Sequence, residues 1–519
     1  MSEPPEAPAP EAAPASASPR TVRLAIGAAA AAMLALLLLK IAPLTFVDPD
    51  LWHQISLARE LFATGHVPLS DVFAYTPTVD PVVHHEWGAG VLWLAVAKGG
   101  RHVFIAFKYL LVLGVIGLAL DSARRRGASP VVLVVAALPA AFLAHYGFTT
   151  IRPQLLSMLA LAGLLDFLAP ERRGRARLWL LAWLPVQLIW TNVHAGFVVG
   201  LGLLGVATLE RAVRREDVLP YVGLTVASTG VVLLNPWGTD YVVYLARALF
   251  MARPDVPEWA PLWSDLELRW LDLLLWLVVA GLGAYAVRVR GWRACRGVGI
   301  FVVVLLFALL HQRHVTLLAV AFFALVPGWL AQTPFEAQAR GFFERRARWV
   351  IMLGVAGTLL WGGGAALRSP FTLRLPNDAV ARLEGWPTYP VGAVDYLVEN
   401  DFRGNVMTPF VEGAYVMWRL HPRGGRVSFD GRYEVAYPRE VADAQARLYG
   451  GGSGWLDTLN AWPTDVVLVA RPSPALSVML GAPGWHVVYG DDLYVLFARP
   501  GLDLPFADRR NRQFGFTFP

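Results

Sequence analysis

Long apolar runs alternate along the chain with short connections rich either in arginine or in histidine and carboxylates. Apolar stretches of about 15–20 residues, each near the length a helix needs to cross a bilayer, fall at 24–39, 102–120, 129–147, 154–170, 178–191, 195–210, 218–235, 270–287, 297–310, 314–331 and 349–366. This pattern predicts about eleven transmembrane helices. The runs 178–191 and 195–210 are short enough to form one bent hairpin. Residues 1–19 are almost all Pro, Ala, Ser and Glu and predict a disordered tail. The acidic stretch ahead of Arg20 and Arg23, with no A-x-A cleavage site, marks 24–39 as an uncleaved first span with a cytoplasmic N-terminus.

Arginine gives an independent test of this topology. Arg124, Arg125 and Arg126, then the groups at 172–177, 211–215, 288–296 and 340–348, occupy alternate connections on the side of Arg20 and Arg23. The positive-inside rule puts that side in the cytoplasm. The opposite connections are 43–101, 148–153, 192–194, 236–269 and 311–313. They hold most of the histidine and a large share of the Asp, Glu and Trp. An odd number of spans leaves everything after about residue 367 outside.

That tail has a different pattern. Short strand-like runs bounded by Gly and Pro lie at 405–407, 413–418, 426–429, 466–469, 485–489 and 494–497, and helical patterns at 391–400 and 441–448. The expected division is a tail at 1–19, a membrane domain at 20–368 and an extracytoplasmic α/β domain at 369–519. The fold class is mainly α, a polytopic membrane protein.

Composition agrees. Hydrophobic residues make up 56% and charged residues 16% of 519, against about 25% charged in soluble domains, and mean hydropathy is +0.47. A string of water-soluble domains is excluded. The single cysteine, Cys295, excludes an intrachain disulfide framework, a CxxC redox site and a cysteine-based zinc site. The net charge of +6 resides in topology-setting clusters and not in a nucleic-acid module, so no nucleic-acid partner is expected. Neither a Walker loop nor H-E-x-x-H occurs. No internal repeat is visible, which weighs against an inverted-repeat transporter.

Candidate chemistry gathers in the first outside loop. F-V-D-P-D-L-W-H-Q places Asp48 and Asp50 around a proline at the end of the first span, with His53 one helical turn on. The segment 55–62 reads as an amphipathic helix lying on the membrane. V-V-H-H-E-W-G then sets His84, His85 and Glu86 at the start of an apolar helix. Asp50 could serve only as a helix N-cap and Glu86 only as a dipole partner. Together, these carboxylates and imidazoles can deprotonate a hydroxyl, hold a divalent ion or bind a phosphate. On the same side, Arg152 in T-T-I-R-P-Q runs against the charge rule and suits an anionic headgroup; the plain alternative is snorkelling. Asn192 and His194 in W-T-N-V-H-A-G, and Arg313 and His314 in H-Q-R-H, sit at connections where polar groups line water-filled cavities. Pro257-Glu258-Trp259 reads mainly as an interfacial tryptophan anchor.

The strings F-V-D-P-D-L-W-H-Q, G-H-V-P-L-S-D-V-F-A-Y-T and H-H-E-W, with W-T-N-V-H-A-G, L-L-N-P-W-G, V-E-G-A-Y-V-M-W-R-L-H-P and V-S-F-D-G-R-Y-E-V-A-Y, resemble bacterial membrane proteins related to the GT-C glycosyltransferase superfamily. The resemblance runs from about residue 45 onward. It implies a polyprenyl-phosphate sugar donor, a glycan, lipid or protein acceptor, and catalysis at the outer face of a bacterial inner membrane. By the same resemblance Asp48 or Asp50 is the general base, with Glu86 the next carboxylate. Arg152 and Arg313 hold the donor phosphate; His53, His84, His85, Asn192, His194 and His314 bind substrate. The resemblance admits a divalent cation, Mg or Mn, without requiring one. Relatives carry two aromatic residues before the histidine, where Leu51-Trp52-His53 has one. Asp430, Gly431 and Arg432 read as a structural turn, with acceptor binding as the alternative. Two other functions use the same residues: a transporter or flippase of a lipid-linked or anionic solute, and a non-catalytic family member.

Overall fold

The computed structural model describes residues 17–42, 47–169, 181–251, 257–383, 388–516 and 518–519. The expected tail at 1–16 and the arginines at 172–177 lie outside them. Every predicted apolar run coincides with a helix where it is described. Six helical stretches are long and apolar enough to cross a membrane: Pro19–Ile41, Arg101–Arg125, Pro130–Phe148, Leu266–Arg290, Gln312–Leu330 and Pro334–Leu367. Shorter apolar helices include Pro153–Phe167, Leu219–Val231 and Val298–Leu310. The helix Val315–Leu330 is buried along its whole length, at the centre of the bundle. Its neighbours pack on all sides of it, as apolar helices in lipid must by van der Waals fit and not by escape from water.

The connections sort to two ends, as the arginine pattern requires. At one end Arg290 donates to the carbonyls of Gly328 and Trp329, Arg126 to that of Leu165, and Arg296 pairs with Glu216. At the other end the first loop meets the C-terminal domain.

Two helices of the first loop carry its candidate residues. Helix α1 spans Pro49–Thr64: Asp48 is its N-cap, its Oδ1 accepting from the Asp50 amide at 3.0 Å, Pro49 opens the first turn, and Gly65 ends it in the left-handed region. Helix α2 spans Trp87–Ala97 and starts at Glu86. The expected membrane-surface helix is therefore real but differently placed. Leu51, Trp52, Ile55, Leu57 and Ala58 are buried, because α1 is clasped between α2 and a helix of the C-terminal domain. A Cβ at Gly90 of α2 would stand 2.2 Å from the Gln54 carbonyl oxygen, so only glycine permits this approach.

Residues 236–269, read as a loop, contain the amphipathic helix Thr239–Phe250. The stretch 413–418, read as a strand, is instead the helix α3, Gly413–Leu420. Positions 413–417 and 420 are all buried, so its short helical repeat is overshadowed by its aromatic and β-branched content. The remaining predicted strands form one sheet. Its strands are β1 (Asn405–Met407), β2 (Arg426–Val427), β3 (Val466–Ala470), β4 (His486–Gly490), β5 (Tyr494–Ala498) and β6 (Ala507–Asp508), in the order β2-β1-β3-β5-β4-β6. Pairs β1/β2, β1/β3 and β4/β6 are parallel; β3/β5 and β4/β5 are antiparallel.

The first loop extends this sheet. Ala74 bridges Val427 in parallel, the Tyr75 amide donates to the Val427 carbonyl at 3.1 Å, and Thr76 Oγ1 donates to the Ser428 carbonyl at 2.6 Å. The Arg59 guanidinium caps the Trp418 ring at 4.0 Å. A sheet edge would otherwise expose unpaired backbone groups; here it fixes the C-terminal domain to the same end as the first loop.

Candidate active site

Between this clasp and the ends of the membrane helices lies a cavity of about 1150 Å³. Pockets for single small molecules rarely exceed about 1,000 Å³. Its polar lining includes residues of α1, the 84–86 segment and the C-terminal domain. Its apolar lining includes Met158, Leu161, Val198, Leu245, Leu310 and Leu317.

Asp48, Asp50, His53, His84, His85, Glu86, Arg152, His194, Arg313 and His314 all line it. Asn192 is not among the lining residues. Its Oδ1 accepts from the Trp87 indole at 2.9 Å and its Nδ2 donates to the Leu234 carbonyl at 3.0 Å, so it ties α2 to the neighbouring helices.

The three candidate carboxylates occupy different settings. Asp48 is 3% exposed, caps α1 and forms a charged hydrogen bond with Arg152 Nε. Glu86 Oε2 accepts from Gln54 Nε2 at 2.6 Å, and its Oε1 lies 3.6 Å from His85 Nε2 and 3.7 Å from His194 Nε2. Burial works against the Glu86 charge, yet His85, His194 and His53 beside it hold it down at about 2. His194 is itself oriented: its Nδ1 accepts from the Gly196 amide at 3.0 Å and contacts Ser157 Oγ at 2.7 Å, which leaves Nε2 to face Glu86.

Asp50 is held more loosely. Arg152 Nη2 lies 4.0 Å from its Oδ2, and its side chain is 38% accessible and lines the cavity. Burial and the adjacent Asp48 charge push it up to about 8, against the pull of Arg152. Two carboxylates two residues apart thus stand in different settings, one capping α1 and paired with Arg152, the other loosely held at the cavity. His53 is lowered to about 4 by burial, which the Asp430 charge offsets only in part, and His84 is lowered well below the ordinary imidazole range by burial and Arg432.

Sequence reading missed how the cations are organised. Glu258, read as part of a tryptophan anchor, stands between the two arginines: its Oε2 is 3.7 Å from Arg152 Nη1 and its Oε1 3.5 Å from Arg313 Nη1. Arg313 also stacks on Trp259 at 4.4 Å. One anionic group is therefore already shared by both guanidiniums. Arg269, over the Tyr146 ring at 4.5 Å and paired with Asp272 at 3.2 Å, adds a third cation to the lining. Tyr244, whose ring stacks on His85 at 5.4 Å, comes from the unforeseen helix Thr239–Phe250. These residues come from separate elements far from Arg152 in the chain, with no local motif to join them.

Among the described residues no three His, Cys, Asp or Glu side chains converge as metal ligands. Asp48 is engaged by Arg152, and Glu86 by Gln54 and two imidazoles.

No protein-family model and no curated protein matches the sequence. Among solved structures, the fold is similar to that of ArnT from Cupriavidus metallidurans bound to undecaprenyl phosphate. The similarity covers 91% of this chain and 97% of that one, at 15% identity and a TM-score of 0.52. The oligosaccharyltransferase of Archaeoglobus fulgidus, in complex with Zn and sulfate, also matches over 93% of this chain and 74% of that one, at 12% identity and a TM-score of 0.49. The chain is thus a multi-pass membrane protein with an ArnT-like fold, in which a helical membrane domain carries a small C-terminal sheet domain.

Proposed function

We propose that the protein is a membrane glycosyltransferase that moves a sugar from a polyprenyl-phosphate donor to an acceptor hydroxyl at the extracytoplasmic face. The observation that carries this reading is the pairing, within one cavity, of a basic accessible carboxylate at Asp50 with two guanidiniums, Arg152 and Arg313, that already share an anion. The ArnT-like fold and the sequence resemblance to the GT-C superfamily support it.

In this reading the donor's lipid tail lies along the apolar lining residues of the membrane helices. Its phosphate takes the position of the Glu258 carboxylate between Arg152 and Arg313. Asp50 accepts the acceptor's hydroxyl proton as that oxygen attacks the anomeric carbon. The new C–O bond forms as the bond to the phosphate oxygen breaks, and inversion follows from a single displacement. The lipid phosphate leaves as a stable anion that the arginines hold, so no strong general acid is required. Asp48 keeps Arg152 charged and aimed, and Glu86 orients the imidazoles around the cavity. In this reading the arginine-rich end faces the cytoplasm of a bacterial inner membrane and the cavity faces outward, as the positive-inside rule supports.

The test is product formation by the purified protein in proteoliposomes supplied with a panel of radiolabelled polyprenyl-phosphate sugars and candidate acceptors. Labelled product from one donor supports transfer. Movement of the labelled lipid between leaflets with no product would replace this reading with a flippase.

A further inference from the structure

The C-terminal domain reaches the proposed base directly. Gly431 lines the cavity opposite α1, and a Cβ on it would stand 2.9 Å from Asp50 Oδ1 and 3.9 Å from His53 Nδ1. Its φ lies outside the left-handed region. Glycine is needed here for space and not for backbone conformation.

The residues on either side hold that backbone still. Asp430 Oδ1 accepts from the Arg432 amide and from Arg432 Nε, both at 2.9 Å, and its Oδ2 accepts from Arg432 Nη2 and from Tyr437 OH, both at 2.7 Å. Arg432 Nη1 pairs in turn with Asp71 of the first loop. Asp430 and Arg432 are 0% and 4% exposed, so the network is dry and each charge depends on its partners. From behind, α3 presses on the same loop, since a Cβ at Gly413 would meet the Phe429 carbonyl oxygen at 2.0 Å. Thr408 Oγ1 donates to that carbonyl at 2.6 Å. A surface turn needs none of this. A buried Asp–Arg–Asp–Tyr clamp around one glycine, with that glycine against an accessible carboxylate, is an arrangement for setting where the carboxylate sits.

We propose that Gly431 is a positioning residue for the reaction: its bare backbone, clamped by Asp430, Arg432, Asp71 and Tyr437, seats the Asp50 carboxylate toward the acceptor. The proposal rests on Asp50 being the base. It makes the C-terminal domain part of the catalytic centre instead of an appendage. Adding a methyl group at Gly431 leaves the carboxylate one way to move, outward into the cavity and toward Arg152, where it is better solvated and closer to a cation. Asp50 is also faced by Asp48, Glu86 and Glu258.

The test measures Asp50 protonation independently of turnover. Dicyclohexylcarbodiimide reacts with protonated carboxyl groups, and mass spectrometry of the peptide containing Asp50 gives the extent of labelling across pH. In Gly431→Ala the labelling midpoint should fall by a pH unit or more relative to wild type. Tyr437→Phe, which removes one hydrogen bond of the clamp and keeps the volume, should shift it in the same direction by less. Gly515→Ala, where a Cβ meets nothing within 4 Å, should leave it unchanged. Where transfer is measurable, Gly431→Ala should lower kcat tenfold or more with donor KM unchanged. An unchanged midpoint in both folded variants would overturn the proposal. A shifted midpoint in a protein that shows no transfer with any donor would overturn the transferase reading and leave the positioning contact in place.

Discussion

The two ends of the membrane domain carry comparable numbers of charges and use them in opposite ways. At the arginine-rich end the ion pairs join one connection to the next, with Glu216 serving both Arg211 and Arg296. Arg214 pairs with Glu210 at 2.7 Å, Glu210 also accepts from the Gly297 amide at 2.8 Å, and Arg296 pairs with Glu216 at 2.8 Å. These pairs staple connections together, and none of their residues lines the cavity at the other end. At the carboxylate-rich end the shared charges line that cavity. Arg152 is divided among Asp48, Asp50 and Glu258, and Glu258 between Arg152 and Arg313. Fully paired charges give stability and topology. Charges in competition, around a cavity, are available for a substrate. Sharing of partners alone does not distinguish the two ends; lining the cavity does.

The comparison is broken most severely by exchanging function between the ends. Asp50→Asn should lower transfer by ~10²–10⁴-fold, the usual contribution of a positioned general base. Glu210→Gln should leave transfer unchanged and instead cost ~1–3 kcal/mol of stability, as for any weakened buried hydrogen-bonding group, read as a lower melting temperature. Loss of transfer in Glu210→Gln with normal melting would erase the distinction.

Arg152→Gln tests the shared cation. Donor KM should rise on the order of 10–100-fold, equivalent to losing one charge-assisted hydrogen bond of ~1.5–3 kcal/mol. The variant also leaves Asp48 buried without its guanidinium. The stability cost should stay below the ~3–5 kcal/mol of a fully buried pair, because Arg152 is 34% exposed.

A third prediction concerns acid. Asp430 is held down at about 2, burial opposing its charge and the Arg432 pair outweighing burial. Its pKa is depressed relative to the unfolded value near ~3.9. Its contribution is therefore complete above about pH 4 and is lost as pH falls toward 2, to the extent of about 2 kcal/mol. Limited proteolysis should detect the first loop and the C-terminal domain separating in that window, before the arginine-rich end loosens. The smallest effect belongs to Thr76→Val at the extended sheet edge. It removes one buried hydrogen bond to Ser428 and should cost about 1 kcal/mol, seen as a modest drop in melting temperature.

Much of this architecture can be read from the chain, for identifiable reasons. Length and apolarity locate the helices because lipid leaves the backbone few alternatives, and the alternation of arginine orders the ends. Local strings are enough to bring Asp48, Asp50, His53 and the 84–86 triplet to one place, since all lie in one loop. The helix Thr239–Phe250 escapes notice because its apolar face is too short to resemble a span, and α3 because an eight-residue helix barely completes two turns. D-P-D does not say which aspartate is free. That follows from Asp48 capping α1 and pairing with Arg152, a residue 104 positions away. The role of Glu258 and the approach of Gly431 to Asp50 depend on contacts across the whole fold, where sequence spacing carries no signal.

The pH dependence of kcat/KM for transfer from a polyprenyl-phosphate sugar tests the account most directly, because it reads the protonation of the proposed base in the unaltered protein. Asp50 must be deprotonated to accept the acceptor's proton, and its pKa is raised to about 8. The account therefore predicts a rate that climbs tenfold per pH unit below that value and levels off above it. A rate that is flat or falling between about pH 6 and 9 would contradict it.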